Sequence, residues 1–584
     1  MANRLEPINL MTFTGGLNLR RNQFELSDDE SPDMLNVDID PRGGFYTRHG
    51  WQRWNRDDII TTGAWEPRNA WVHTAASGSQ SVYVVNGGTI YRSGSNAAFT
   101  VLAGPLPGAD PHGADFTAWG DDVYLVSGRA QLTHRVNTSG VAVPMAWSGY
   151  SEIDTPSFDM VPKADYVTTH AGYMFVAVTN EFDGDHLNRI RWSHPGVPDA
   201  WRDDDFIDIE SGGGKITGII AFNDHLLIFK TSTMWALYGY DDESWQLVQV
   251  STKIGCPAIT ALTRSEATAF FYSAADQGGI YAYQGAQPVY LSEALRPAFE
   301  EVLNFNNVFV SWAGRRLWVV LPWMRYIGST VNPSTTFVYD PDTGRGAWTM
   351  YRCDIGSLGL VIDNSDISSK FPLATFWSTE TACLVMLEYI NDAYDIVTEP
   401  AVLGTENSIP DNFNAPVVVT GLNEEIGVTG VSANGIPFDS YYRTRWLHAG
   451  WPDRKKSWRR PTFVCREVPR ETDLVVETYH DYNETTIHRS RILHLPTKGT
   501  AYWTPGGINE ADVGGFNWTP EGLGDPTATG ANWTATQAGS TIVRGASQGL
   551  ARAIQMRVRA SPNTPRQRWG VDGIVAKIVM RRFR

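Results

Sequence analysis

Between Lys215 and Gly239 the chain reads KITGIIAFNDHLLIFKTSTMWALYG, three apolar runs divided by turn formers. The runs are Ile216–Ala221, Leu226–Phe229 and Met234–Tyr238; Asn223-Asp224 separates the first two and Thr231-Ser232-Thr233 the last two. Short runs rich in Ile, Phe, Trp and Tyr and bounded by turn residues predict strands rather than helices. Asn and Asp tolerate left-handed backbone angles and bond their own chain, so Asn223-Asp224 suits a tight reversal. The segment therefore predicts an antiparallel meander of three strands.

The same pattern, a small or acidic turn followed by an alternating bulky run, recurs along the chain. It appears at Asn86–Tyr91, Gly120–Val126, Gly172–Val178, Gly278–Tyr283 and Gly314–Leu321, with a closer copy at Thr336–Trp348. Apart from that last copy the spacing is roughly 35 to 55 residues, which brackets the period of four-stranded propeller blades. A pair of large β-sandwiches would carry similar hairpins, but the spacing favours the propeller.

Outside this region the pattern changes. Val37 and Ile39 alternate with Asp38 and Asp40, then Arg42-Gly43-Gly44 turns the chain into Phe45–Arg48; residues 1–50 read as an arm that enters the propeller as its first hairpin. Residues 51–400 are the expected propeller, and 401–439 break its rhythm as a linker or insertion. From 440 to 584, strand candidates at Tyr441–Trp446, Thr462–Arg466, Leu474–Tyr479, Thr486–Ile492, Ala553–Val558 and Gly570–Met580 predict a β-sandwich. The Gly-, Thr-, Asn- and Trp-rich piece Gly506–Gly539 within it predicts a long exposed loop. The fold class expected is thus all-β, a propeller with an N-terminal arm and a C-terminal β-sandwich.

Composition agrees and narrows function. Aromatic residues make 12% of the 584 residues, with 54 Gly and 32 Pro, as expected of short strands and many turns. The net charge of −16 argues against nucleic-acid binding by the whole surface. From about residue 436 onward, however, Lys and Arg outnumber Asp and Glu, giving a basic tail on an acidic body. Cys256, Cys353, Cys383 and Cys465 lie far apart, so reduced thiols are expected rather than a disulfide framework or zinc knuckle. No stretch has the apolar length of a signal peptide or membrane span, which predicts a soluble protein without a standard export signal.

The opening Gly15-Gly16-Leu17-Asn18, followed by SPDMLNVDIDPRGGFYTRHG over 31–50, resembles the start of tailed-bacteriophage tail structural proteins. Arg191-Trp192-Ser193 with Pro198-Asp199-Ala200-Trp201, and Thr444-Arg445-Trp446 with Lys456-Ser457-Trp458-Arg459-Arg460-Pro461, are similar to the same group. The resemblance implies a virion component, assembled in the host cytoplasm, similar to the nozzle of short-tailed phages or to minor tail proteins. It implies a cyclic homo-oligomer, with a hexamer favoured, adjoining tail or head-to-tail connector proteins, with tail fibres as further candidates, and transient genome DNA in its lumen. The arm, the Gly/Thr-rich loop and the basic turn carrying Arg454, Lys455, Lys456, Trp458, Arg459 and Arg460 are the expected inter-subunit contacts. A tail-tip protein that binds host-surface glycans, or a glycan depolymerase, is the alternative.

No Gly-x-Ser-x-Gly elbow, His-Glu-x-x-His helix or phosphate-binding Gly-x-x-x-x-Gly-Lys-Ser/Thr loop occurs. Paired-carboxylate glycosidases leave no fixed spacing and stay open. Asp340-Pro341-Asp342-Thr343-Gly344-Arg345-Gly346-Ala347-Trp348 looks like the Asp-box turn of sialidase propellers, whose role is architectural. Arg189 and Arg191 share one strand face, but adjacent Arg315 and Arg316 point to opposite faces, so no arginine triad is expected. The carboxylates Asp183, Asp185 and Asp203-Asp204-Asp205 beside His186 and His194 read as solvated loops, and Asp38-Ile39-Asp40 lacks the further ligands of a calcium loop. In the basic stretch, Trp458 among lysines and arginines admits base stacking, but edge protection or pairing with an acidic neighbour is the reading adopted. No enzyme activity, cofactor or metal is expected.

Overall fold

The computed structural model describes residues 5–53, 59–60, 67–86, 89–93, 99–103, 114–137, 140–147, 161–275, 278–300, 302, 305–321, 335–344, 346–352, 355–362, 370–376, 382–390, 394–395, 416–417, 431–432, 436–466, 472–495, 501–502, 532–533, 540–561 and 568–579. The Gly506–Gly539 loop, but for residues 532–533, and most of the 401–439 linker lie outside the described residues. The chain divides into two compact units, one of residues 1–48, 342–349 and 437–584, the other of residues 49–341 and 350–436. Among the described residues no helix is long and apolar enough to cross a membrane.

The second unit is built from meanders of the kind that Lys215–Gly239 predicts. There the strands are Ile216–Phe222, His225–Lys230, Met234–Tyr238 and, beyond the predicted three, Gln246–Ser251. Asn223 turns the first hairpin in the left-handed region, with φ 48°, as its residue type suggests. Six four-stranded sheets follow this plan in sequence, and a seventh is made of Ile355–Ile362, Lys370–Phe376 and Ala382–Ile390.

The first strands of successive sheets are neighbours. Pro67–Thr74 lies beside Asp115–Trp119, which lies beside Lys163–His170, and this in turn beside Ile216–Phe222. Ile216–Phe222 packs on the 3-10 turn Ile259–Ala261 that leads into Leu262–Arg264. A Cβ at Gly218 would come within 2.9 Å of the end of the Ile259 side chain, so a larger residue there would have to displace it. Phe309–Ala313 and Ile355–Ile362 continue the series, and Ile355–Ile362 lies against Pro67–Thr74. The circle is complete, a β-propeller of seven blades among the described residues.

Two expectations change in detail. The copy at Thr336–Trp348 is the outer half of blade six (Thr335–Asp340 and Ala347–Arg352), which is why it sat too close to its neighbour. The N-terminal hairpin does not open blade one. Phe45–Thr47 pairs with Gly570–Val571 in the other unit, and the strand after it, Gly50–Arg53, pairs with Ala382–Ile390 as the outermost strand of blade seven. The seventh blade is thus completed through backbone hydrogen bonds to a strand that precedes the first blade in sequence. Trp51 on that strand is fully buried and meets Trp318 of blade six edge-on, with ring centroids 5.8 Å apart.

The first unit holds two sheets that mix strands from both ends of the chain. Gly570–Val579 pairs with Leu5–Leu10, Lys456–Trp458, Thr462–Arg466 and Phe45–Thr47. The second sheet runs Asp33–Leu35, Tyr441–Arg443, Ile554–Ala560, Thr472–His480, Arg489–Leu495. Phe45 of the first sheet stacks on Tyr442 of the second at 4.2 Å, and Phe13 meets both rings edge-on. Such aromatic contacts between facing sheets contribute beyond their buried area.

Candidate functional site

The basic turn expected to face other subunits divides in two. Arg454, Lys455, Arg459 and Arg460 are exposed, and the Arg454 guanidinium lies 4.4 Å over the Trp451 ring. Lys456 and Trp458 correct the expectation, because both are buried inside their own unit. They sit two apart on the strand Lys456–Trp458, hence on one face, and that face is the inner one. The Lys456 ammonium donates to the carbonyls of Trp451, Arg454 (3.0 Å) and Arg552 (2.8 Å). Trp458 Nε1 donates to Ala551 O at 3.1 Å. A buried ammonium surrounded by carbonyls braces its loop and is not a docking group.

The carboxylate and histidine stretch after blade three's second strand is a hairpin rather than a loop, formed by Tyr173–Glu181 and Gly184–Trp192. Glu181, Asp183 and His186 bring ligand-type atoms within 4.8 Å of one another. Yet Glu181 accepts from Arg189 (2.9 Å), Arg191 (3.0 Å) and Thr179 (2.6 Å), so its oxygens are already committed. Arg189 also forks onto Asp208 at 2.9 and 2.8 Å. The two arginines that shared a strand face are thus neutralised within blade three. Asp205 departs from the solvated-loop reading: it is buried, and burial pushes its carboxyl up to about 6. In the segment that looks like an Asp-box, Gly344 takes φ 83° and Trp348 is buried, so its residues serve architecture.

Blade two carries an opening that the sequence reading did not find. Its second strand is Asp122–Val126, and alternation sends Val123 and Leu125 into the core shared with blade one. Asp122 and Tyr124 point the other way, toward blade three. Cross-strand register adds Trp119 opposite Asp122, Arg135 opposite Tyr124, and Val143 opposite Arg135, all on that same face. The connection bearing Pro198 and Asp199 in blade three closes the far side, leaving a cleft of about 420 Å³. That volume lies in the range of small-molecule sites.

Each wall of the cleft is fixed. Trp201 is buried and its Nε1 donates to Pro198 O at 3.1 Å, while His194 N donates to Ala200 O at 2.8 Å; together they hold Asp199 at the rim. Arg135 is ion-paired with Asp122. Burial pushes the Tyr124 phenol up to about 12, with Arg135 opposing and Asp122 and Asp199 adding to the shift, so the hydroxyl stays protonated. Among the described residues Asp199 makes no hydrogen bond or ion pair within the chain. The signal was present in the sequence as polar Asp122 and Arg135 on the same face as Tyr124. It could not be separated from ordinary strand alternation without knowing that blade three's connection folds over it.

No family model matches the chain, and no curated protein matches it in sequence. Among solved structures it is similar to virginiamycin B lyase from Staphylococcus aureus, with 12% identity over 58% of this chain and 98% of that one and a TM-score of 0.35. It is similar also to PorZ, a surface component of the type-IX secretion system of Porphyromonas gingivalis (11% identity, 70% of this chain, 44% of that one, TM-score 0.33). A third is an acylaminoacyl peptidase from Pyrococcus horikoshii (8% identity, 57% and 52%, TM-score 0.32). Values this low carry no inference about activity.

Proposed function

We propose that the chain is an architectural component of a bacteriophage tail, a nozzle-like subunit that joins copies of itself into a ring around the path of DNA. The reading is carried by how the residues of its tail-protein resemblance are used. Asn36, at φ 52°, donates to Asp439 O at 2.7 Å and accepts from Arg48 Nε at 3.1 Å. Arg48 is fully buried with its guanidinium 3.6 Å over the Phe438 ring. Asp40 accepts from Arg42 N at 2.7 Å and is ion-paired with Arg466, which also donates to Asp572 at 2.9 Å. Gly43 turns the hairpin at φ 113°. Asn36, Asp40 and Arg48 thus tie the first fifty residues to Asp439, Arg466 and Phe438 of the C-terminal part of the chain, which is the work of a rigid building block.

Exposed Arg454, Lys455, Arg459 and Arg460 are the remaining candidates for subunit contact, facing an acidic surface of the next copy. An acidic propeller suits a channel wall, since a basic lining would grip passing DNA. The test is the mass of the purified protein in solution and its position on assembled particles. A closed ring of several copies on the tail axis is expected. A monomer absent from tails would overturn the reading.

A further inference from the structure

We infer that the cleft between blades two and three is a binding site for a neutral saccharide. This stands on the cleft alone and does not depend on the tail reading. Four features of the site select the ligand class.

The first is charge. Asp122 and Asp199 set two carboxylates against the single guanidinium of Arg135, which disfavours an anion. Arg135, standing on the same wall as the Trp119 ring, disfavours an organic cation that would otherwise rest on that ring. A neutral ligand meets neither penalty. The second is the variety of hydrogen-bonding groups. Asp199 can only accept, Arg135 and the Trp119 indole can only donate, and the protonated Tyr124 hydroxyl can do both. Neighbouring hydroxyls of one sugar ring present a donor and an acceptor side by side, so a polyol satisfies all of these at once.

The third feature is shape. Trp119 supplies a flat apolar face at the rim and Met145 a buried apolar floor, so the C–H face of a pyranose has a surface to lie on. The last is preorganisation. Trp119 and Asp122 are locked by the hairpin pairing, Arg135 by its ion pair, and Asp199 by the Trp201 anchor, so little freedom is lost when a ligand enters. The unpaired Asp199 is the group whose partner the ligand provides.

The experiment titrates the full-length protein with glucose, galactose, mannose, rhamnose, N-acetylglucosamine, lactose and maltose. Calorimetry and saturation-transfer NMR read the binding, and choline and inorganic phosphate serve as charged comparators. Millimolar binding of at least one sugar is expected, with transfer focused on one ring face. Asp199→Asn should weaken it roughly tenfold, the scale of one lost hydrogen bond to a charged group. Trp119→Ala should abolish the transfer. Because Trp119 also packs on the blade, Asp199→Asn, a surface change, keeps the test independent of folding. Binding by no sugar in the panel, sugar binding unchanged in Asp199→Asn, or tighter binding of choline or phosphate would each overturn the inference.

Discussion

Lys455 and Lys456 stand side by side in the densest charge run of the chain, and the structure assigns them opposite fates. Replacing Lys456 by Met keeps the length of the side chain and removes the ammonium. Three backbone carbonyls then lose their donor. Hydrogen bonds from a charged group contribute about 1.5–3 kcal/mol each when buried. Water can reach the carbonyls of Trp451, Arg454 and Arg552, all three on exposed residues, after a small shift, which offsets part of that loss. Part of the cost also returns, because burial already disfavours the charged lysine and holds its pKa below the usual value. The expected net loss is about 3–4 kcal/mol. For a unit of roughly 150–250 residues each kcal/mol moves Tm by about 2–4 °C, so the shift should be roughly 6–15 °C. Scanning calorimetry reads it, in the transition of the unit containing the C-terminal strands. Lys455→Met is the control and should stay within about 0.5 kcal/mol of the parent. Equal effects of the two substitutions would refute the placement of Lys456.

Three further outcomes follow from buried groups. Asp115, between blades two and three, accepts from Val167 N (2.9 Å) and Phe116 N (3.0 Å), yet burial pushes its carboxyl up to about 7. A carboxyl raised in the folded state favours folding below its unfolded pKa and loses that contribution as pH rises through the folded one. Propeller stability should therefore fall by roughly 4 kcal/mol between about pH 4 and 7, and the difference between parent and Asp115→Asn should carry that slope; parallel profiles would refute it. Burial also pushes the thiols of Cys256 and Cys465 up to about 12, so peptide mapping after treatment with a thiol reagent should find both unmodified until the protein unfolds. Trp51→Ala should cost about 3–5 kcal/mol and lower the propeller transition alone, because the lost ring is on the strand that completes blade seven; a shift confined to the other transition would contradict that pairing.

Local pattern was enough wherever a strand pairs with its sequence neighbour. The runs at Ile216, Leu226 and Met234 became strands within a residue or two of their apolar limits, and Asn223 took the backbone angle that its side chain tolerates. The burial of Lys456 was legible too. In Lys456-Ser457-Trp458 a strand places the lysine on the tryptophan's face, and a tryptophan flanked by charges marks the inner side. The surrounding Arg454, Lys455, Arg459 and Arg460 make charge, rather than period, the dominant feature of the stretch. The cleft was legible only by half. Blade two's polar face is written in Asp122, Tyr124 and Arg135, but its cover comes from blade three through Pro198 and Asp199. Fold over function was the limit there, since alternation names a face and not what stands opposite it.

What no local pattern records is the partner of a strand far away in the chain. Phe45–Thr47 and Gly50–Arg53 are separated by two residues and look alike as short aromatic strands, yet they complete different units. The first waits for Gly570 and Val571, the second for Ala382–Ile390. Pairing over such separations pays the loop-closure entropy before any contact offsets it. During synthesis the closing strand of the propeller emerges first, and its site on blade seven exists only after residue 390 has been made. Leu5–Leu10 likewise must wait for Gly570–Val579. Blades one to six can assemble from neighbouring segments while the N-terminal strands remain unpaired. The N-terminal strands are therefore the ones on whose pairing both units depend for completion, and buried Asn36, Asp40 and Arg48 gain Asp439, Arg466 and Phe438 as partners only after the propeller segments have been made.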